Sequence, residues 1–176
     1  MKTTLAIAAT ILIPTCYNQS TYTQKPKVFH ALKLEVGDNN IANAGMKGLE
    51  LGSICLLIDG QPTCIKNVVD EKVLTYHSQA ARDIFGNEDT SLLIGREQKL
   101  SCGERYKAVA LGRHGHVLVT FGTDIISGDE IDIDVVEPAG QGCSDIKIPY
   151  VLYGVDEEGH QTTLCTGDSN QRCKVR

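Results

Sequence analysis

The stretch Cys55-Leu56-Leu57-Ile58-Asp59-Gly60-Gln61-Pro62-Thr63-Cys64 decides the architecture of this 176-residue chain. Asp-Gly between two runs of strand-forming residues is a strong two-residue hairpin signal, because a type I′ turn needs positive φ at both central positions. With Asp59-Gly60 as the turn, Ile58 faces Gln61, Leu57 faces Pro62, Leu56 faces Thr63 and Cys55 faces Cys64. Hydrogen-bonded and non-hydrogen-bonded pairs alternate away from the turn, so Leu57–Pro62 and Cys55–Cys64 are both of the second kind. Pro62 then costs no ladder bond to its partner, and the two sulfurs meet where Cα atoms approach most closely. A cross-strand disulfide is expected there. Strand direction, register and an oxidising compartment follow from ten residues.

Outward from this hairpin, the chain reads as many short strands separated by turn residues. Val28 to Val36 alternates, with Val28, His30, Leu32, Leu34 and Val36 on one face and Lys33 and Glu35 on the other. His30 is thereby expected as a satisfied or half-buried histidine. Val68 to His77 is ambiguous between strand and helix. Ser78 caps a predicted short helix running to Phe85, with Gly86 as its stop. Ser91–Ile94 and Ile146–Ile148 are further strand candidates. Tyr106–Leu111 and Val117–Phe121 flank Gly112-Arg113-His114-Gly115-His116, which reads as a second hairpin. Ile131, Ile133 and Val135 alternate with Asp132 and Asp134, predicting a strand with one apolar and one solvated acidic face. Tyr150–Val155 and Gln161–Cys165 enclose Asp156-Glu157-Glu158-Gly159, a third hairpin and a polar turn. The expected fold is mainly β: an antiparallel sandwich or small barrel with one short helix, stabilised by disulfides.

The N-terminus places this domain on the secretory route. Lys2 followed by an apolar run from Leu5 to Ile13, closed by Pro14, resembles a signal peptide. Residues 1–20 are read as that signal, with cleavage between 15 and 20, and residues 21–176 as a single β-rich domain. A lipid anchor on Cys16 is the alternative, disfavoured because Pro14-Thr15 is a poor lipobox ending; a buried N-terminal strand is another. No stretch is long and apolar enough to span a membrane. Asn18-Gln19-Ser20 is a glycosylation sequon, usable only if cleavage leaves it in place.

Apart from Cys16, six cysteines remain, which allow fifteen pairings. Cys55–Cys64 ranks first for the reason above. Cys165–Cys173 follows because Thr166-Gly167-Asp168-Ser169-Asn170 is a flexible turn that closes a short loop. Cys102–Cys143 is then left by elimination; it would constrain the longest loop, worth about 4 kcal/mol on the loop-entropy model. No CxxC or Cys/His zinc spacing is present, and no cofactor or metal is expected. The net charge of −5 and the lack of a basic stripe exclude a phosphate-backbone partner as the expectation. Arg172, Lys174 and Arg176 form only a small basic tail. Missing Trp and scarce Phe weigh against a stacked-ring sugar platform.

Several constellations carry possible chemistry. Arg113-His114-Gly115 is superficially similar to the Arg-His-Gly signature of histidine phosphatases, but a strand follows it here instead of a helix, and too little chain remains for their α/β domain. His114 and His116 are two metal-ligand candidates if His-x-His lies on one strand, with Asp124, Asp129 or His160 as a third. A ribonuclease-like centre would use His114 or His77 as acid, Glu130 or Glu137 as base, and Arg113 on phosphate. Asp129 to Asp134 invites calcium, yet the EF-hand glycine and its bidentate Glu are missing. Ser127, Ser144 and Ser169 lack a nucleophile elbow.

In composition the chain resembles the small cysteine-containing secreted proteins, often called effectors, that fungi release toward hosts or competitors, a likeness of class without a shared motif. The expected function is that of a secreted, monomeric β-scaffold interaction protein that binds a host or competitor protein or a surface glycan. The loops Gly37–Gly48, Gly112–His116 and Glu137–Gly142 are the expected binding elements. A small hydrolase or ribonuclease centred on Arg113, His114 and His116 is one alternative. A protease inhibitor is the other, with Arg172 beside Cys173 as its P1 candidate.

Overall fold

A computed structural model describes residues 26–37, 49–74, 86–112, 114–136, 148–168 and 170–176. The signal segment with Cys16 and Asn18, the helix expected after Ser78, His77, Arg113, Glu137, Cys143, the side chain of Cys102 and most of two expected binding loops lie outside the described residues. The Cys102–Cys143 pairing therefore lies outside them too.

Among the described residues twelve strands run in chain order: β1 Val28–Phe29, β2 Ala31–Val36, β3 Leu49–Ile58, β4 Gln61–Cys64, β5 Asn67–Lys72, β6 Val109–Leu111, β7 His116–Thr120, β8 Ile125–Ile126, β9 Glu130–Val135, β10 Tyr150–Val155, β11 Gln161–Gly167 and β12 Gln171–Lys174. One sheet has the order β11-β10-β2-β7-β5, and the other has the order β12-β9-β3-β4 with β6 also on β3. A two-stranded ribbon pairs β1 with β8. All strand pairings are antiparallel. The ten-residue β3 is long enough to pair with β6 at its N-terminal end and β4 at its C-terminal end.

The β3–β4 hairpin has the expected register throughout, from Ile58↔Gln61 to Cys55↔Cys64. Asp59 and Gly60 have φ of 50° and 77°, as a type I′ turn demands. Cys55 and Cys64 are disulfide-bonded, with Cα atoms 4.0 Å apart. The expected hairpin at Asp156–Gly159 also forms, between β10 and β11.

Alternation supplies the core. Leu32, Leu34 and Val36 of β2, Val117 and Val119 of β7, Tyr150 and Leu152 of β10, Leu51, Ile54 and Leu56 of β3, and Ile131 and Ile133 of β9 form one apolar cluster between the sheets. Removing these branched side chains from water is the main driving force for closing the sandwich.

Cys165 and Cys173 are bonded as well, with Cα atoms 6.1 Å apart. Their role exceeds closing a short loop. Cys165 belongs to β11 of one sheet and Cys173 to β12 of the other, so the bond staples two sheet edges together.

Four expectations change. Ser91–Ile94 is not a strand: Thr90–Leu93 is a 3-10 turn capped by the Asp89 side chain, which accepts from the Ser91 backbone N–H. The Gly112–His116 segment is not a hairpin. β6 lies in the β3 sheet and β7 in the β2 sheet, so this turn carries the chain across the sandwich. The β1–β2 alternation slips at His30, leaving Phe29 buried and His30 exposed. The slip lets the Phe29 ring pack over Gly154, where an added Cβ would lie 2.6 Å from the ring.

Asp134 supplies the fourth correction, because it is only 2% exposed. It points away from the core cluster, but residues 95–108 fold over that face of the sheet. Leu100 donates its backbone N–H to Asp134 Oδ2 at 3.1 Å, and Arg105 Nε lies 2.9 Å from Glu50 Oε2. Leu100, Ala108 and Val136 add a small apolar cluster beneath this strap. The acidic residue that alternation marks as solvated is an anchor for a covering segment.

Candidate functional site

The outer face of the β10–β2–β7–β5 sheet collects the reactive side chains that the turn and strand residues position. Inward alternation of Leu32, Leu34, Val117 and Val119 forces Lys33, Glu35, His116 and Leu118 outward. Register then sets their neighbours. Glu35 lies opposite His116, and His116 lies opposite Lys72. In the next row Tyr153 faces Lys33, Lys33 faces Leu118, and Leu118 faces Asp70. A β-bulge between Val68 and Asp70 sets the phase that brings Asp70 to this face.

Opposite charges interleave across these strands. Lys33 Nζ lies 2.5 Å from Glu35 Oε2 and 5.9 Å from the centre of the Tyr153 ring. His116 Nε2 lies 3.1 Å from Asp70 Oδ2. The Lys33 hydrogen bond, opposed by partial desolvation and helped by the charges of Lys33, His116 and His114, holds the Glu35 carboxyl below its ordinary range. Hydrogen bonds from His116 and from the Glu71 backbone hold Asp70 low as well. At neutral pH both carboxylates are ionised, and the face is a mosaic of both signs around Tyr153 and Leu118.

The candidate histidines are near each other without sharing a strand. β7 begins at His116, while His114 stands in the preceding turn at φ 55°. Gly115 donates its N–H to the Gly112 carbonyl at 2.7 Å, which closes that turn. A Cβ on Gly115 would meet Gly112 and the Lys72 carbonyl at 2.7–2.8 Å, so glycine is required by close approach. The His-x-His reading therefore loses its two-positions-on-one-strand geometry.

The proposed third ligands and bases lie elsewhere. Asp124 pairs with His30, Nδ1 to Oδ1 at 2.7 Å. Asp129 accepts from the Ile126 N–H at 2.8 Å and shapes its own turn. Glu130 is in β9 of the other sheet, opposite Leu57 and Lys174. The alternating Asp132 and Asp134 are split between partial exposure and burial, with Arg172 Nε 3.7 Å from Asp132. His160 is at the tip of the β10–β11 hairpin beside Asp156, Nδ1 to Oδ2 at 3.4 Å.

Sequence reading did not single out Asp70, Lys33, Glu35 or Tyr153 as partners of His116. Strand alternation showed that Lys33 and Glu35 point outward together. Which strands flank β2 depends on long-range pairing, and no local signal carries it. No protein-family model, curated protein or solved structure matches the chain.

Proposed function

We propose that this chain is a secreted, disulfide-braced β-scaffold that binds a macromolecular partner through the outer face of the β10–β2–β7–β5 sheet. The observation that carries the reading is the mosaic of Lys33, Glu35, Asp70, Lys72 and His116 around Tyr153 and Leu118, held on paired strands. A rigid aromatic surrounded by ionised groups of both signs suits a protein partner with complementary mixed charge. Two disulfides and the predicted N-terminal signal support an oxidising, extracellular setting. No helix among the described residues is long and apolar enough to cross a membrane.

The hydrolase reading keeps one specific support, the His116–Asp70 contact flanked by Lys72. That pair lies on an open sheet face, with side chains 20% and 67% exposed. Preorganised electrostatic catalysis draws its strength from water-excluded sites, so the binding reading is the better supported of the two.

The test is an interaction screen of the oxidised protein against extracellular proteins and glycans, followed by variants. Tyr153→Ala and Lys33→Glu are each expected to weaken the recovered interaction by about 30-fold, as for a central hot spot of ~2 kcal/mol, with unchanged thermal melting. Arg172→Ala, in β12 of the other sheet, should leave it intact. Partner binding indifferent to both face variants would overturn the reading. Turnover of RNA or of ester and phosphate substrates that disappears in His116→Ala would replace it with the hydrolase.

A further inference from the structure

We propose that the tip of the β10–β11 hairpin is a binding site for a divalent first-row transition ion of the zinc type, held by Asp156, Glu158 and His160. Each residue offers one ligand atom, and these three atoms lie within 4.8 Å of one another. Among the described residues this is the group of three metal-ligating side chains that converges so closely.

The hairpin explains the convergence. Asp156 donates its N–H to the His160 carbonyl at 3.1 Å, and Gly159 donates to the Asp156 carbonyl at 3.1 Å. Gly159 takes φ 84°, which lets the chain reverse between Glu158 and His160. The His160 N–H is held by Asp156 Oδ1 at 2.8 Å. With Oδ1 occupied by the backbone, Oδ2 is left facing His160 Nδ1 at 3.4 Å. Tetrahedral zinc with bonds of about 2.1 Å separates its ligand atoms by about 3.4 Å. The Asp156–His160 pair therefore already has the bite of two adjacent zinc ligands. Glu158 is exposed, and its carboxylate lies within 4.8 Å of both other ligand atoms.

The donor set chooses the class of ion. An imidazole nitrogen with two carboxylate oxygens suits zinc, copper or nickel. Calcium and magnesium take all-oxygen shells, so a site in which one of three donors is an imidazole nitrogen favours the transition ion over both. Two carboxylates offset the cation charge. Three protein ligands leave a fourth position open, and at an exposed hairpin tip that position faces solvent or a ligand from a bound partner.

Calorimetric titration of the oxidised protein with Zn2+ alone, in excess Mg2+, tests the proposal. One ion per chain should bind in the sub-millimolar range, with amide shifts in heteronuclear NMR confined to residues 155–161. His160→Ala and Glu158→Gln should each weaken binding by about ten-fold or more, since even outer partners of a metal site are worth that much. His30→Ala removes another exposed imidazole beside a carboxylate, Asp124, and should leave the affinity unchanged. Far-UV circular dichroism keeps loss of fold separate from loss of a ligand. Zn2+ binding equally well to His160→Ala, no binding by the folded wild type, or Ca2+ binding as tightly as Zn2+ would each overturn the proposal.

Discussion

Glu104 shows how one side chain can make the fold sensitive to acid. It accepts from Lys107 Nζ at 2.8 Å and from the backbone N–H and hydroxyl of Ser101 at 3.2 and 3.0 Å. Lys107 first, then Ser101, holds its carboxyl down at about 2, from an ordinary 4.5. A carboxylate with a depressed folded-state pKa stabilises the fold above its unfolded value and stops doing so as it is protonated in the native state. Its contribution should be complete above about pH 5 and fade between about pH 4.5 and 2. Denaturant midpoints of the wild type and Glu104→Gln, measured over that range, should converge at the acid end; a gap independent of pH would contradict this. In β10, Gly154 is required because Phe29 covers it. Gly154→Ala should destabilise by about 1–3 kcal/mol through overpacking. Phe29→Leu should cost less in that background than alone, a coupling that a double-mutant cycle of unfolding energies would read.

At the scale of elements, the β3–β4 turn tests the logic of the opening ten residues. Gly60 stands at φ 77°, which a side chain penalises by about 1 kcal/mol or more. Gly60→Ala should therefore lower stability by that amount, whereas Asp59→Asn should be nearly neutral, because Asn-Gly suits the same turn. Equal effects of the two in chemical denaturation would argue against the type I′ turn as the determinant. The same ten residues were readable because turn, register and disulfide are local and agree. The Gly112–His116 segment was misread for the opposite reason. Its glycines mark a turn correctly, but whether a turn joins neighbours in one sheet or crosses between sheets depends on partners far along the chain: β6 finds β3, while β7 finds β2 and β5. Ser91–Ile94 failed similarly, since a short apolar run suits a strand until Asp89 caps it as a 3-10 turn.

For the molecule as a whole, the two disulfides among the described residues close loops of nearly equal length, nine and eight residues in separation. Loop entropy alone assigns each about 2.5 kcal/mol. Their structural consequences differ, because Cys55–Cys64 lies within one hairpin and Cys165–Cys173 joins the edges of two sheets. Replacing Cys165 and Cys173 by serine should raise hydrogen exchange through β12 and β11 together. Replacing Cys55 and Cys64 should raise it mainly in β4. Identical, global increases from both pairs would show that the staple has no special place in the sandwich. The edges carry their own protection against pairing with other chains: Pro62 in β4, and a bulge followed by Asp70, Glu71 and Lys72 in β5.

Sequence by itself determined the β class, the disulfide-pinned β3–β4 register, the β10–β11 hairpin and the apolar faces of β2 and β9. Each of these rests on turn chemistry or on the two-residue period of a strand, which act between near neighbours. Tertiary structure decided which strands share a sheet, that Cys165–Cys173 bridges sheets, that Asp134 is covered, and that His116 meets Asp70 and Glu35 beside Lys33 and Tyr153. Those outcomes depend on contacts between segments distant in the chain, where burial and partner choice override local pattern. The outer sheet face exists only once that packing has been made, whereas the Asp156–Glu158–His160 tip is set by the local turn between β10 and β11.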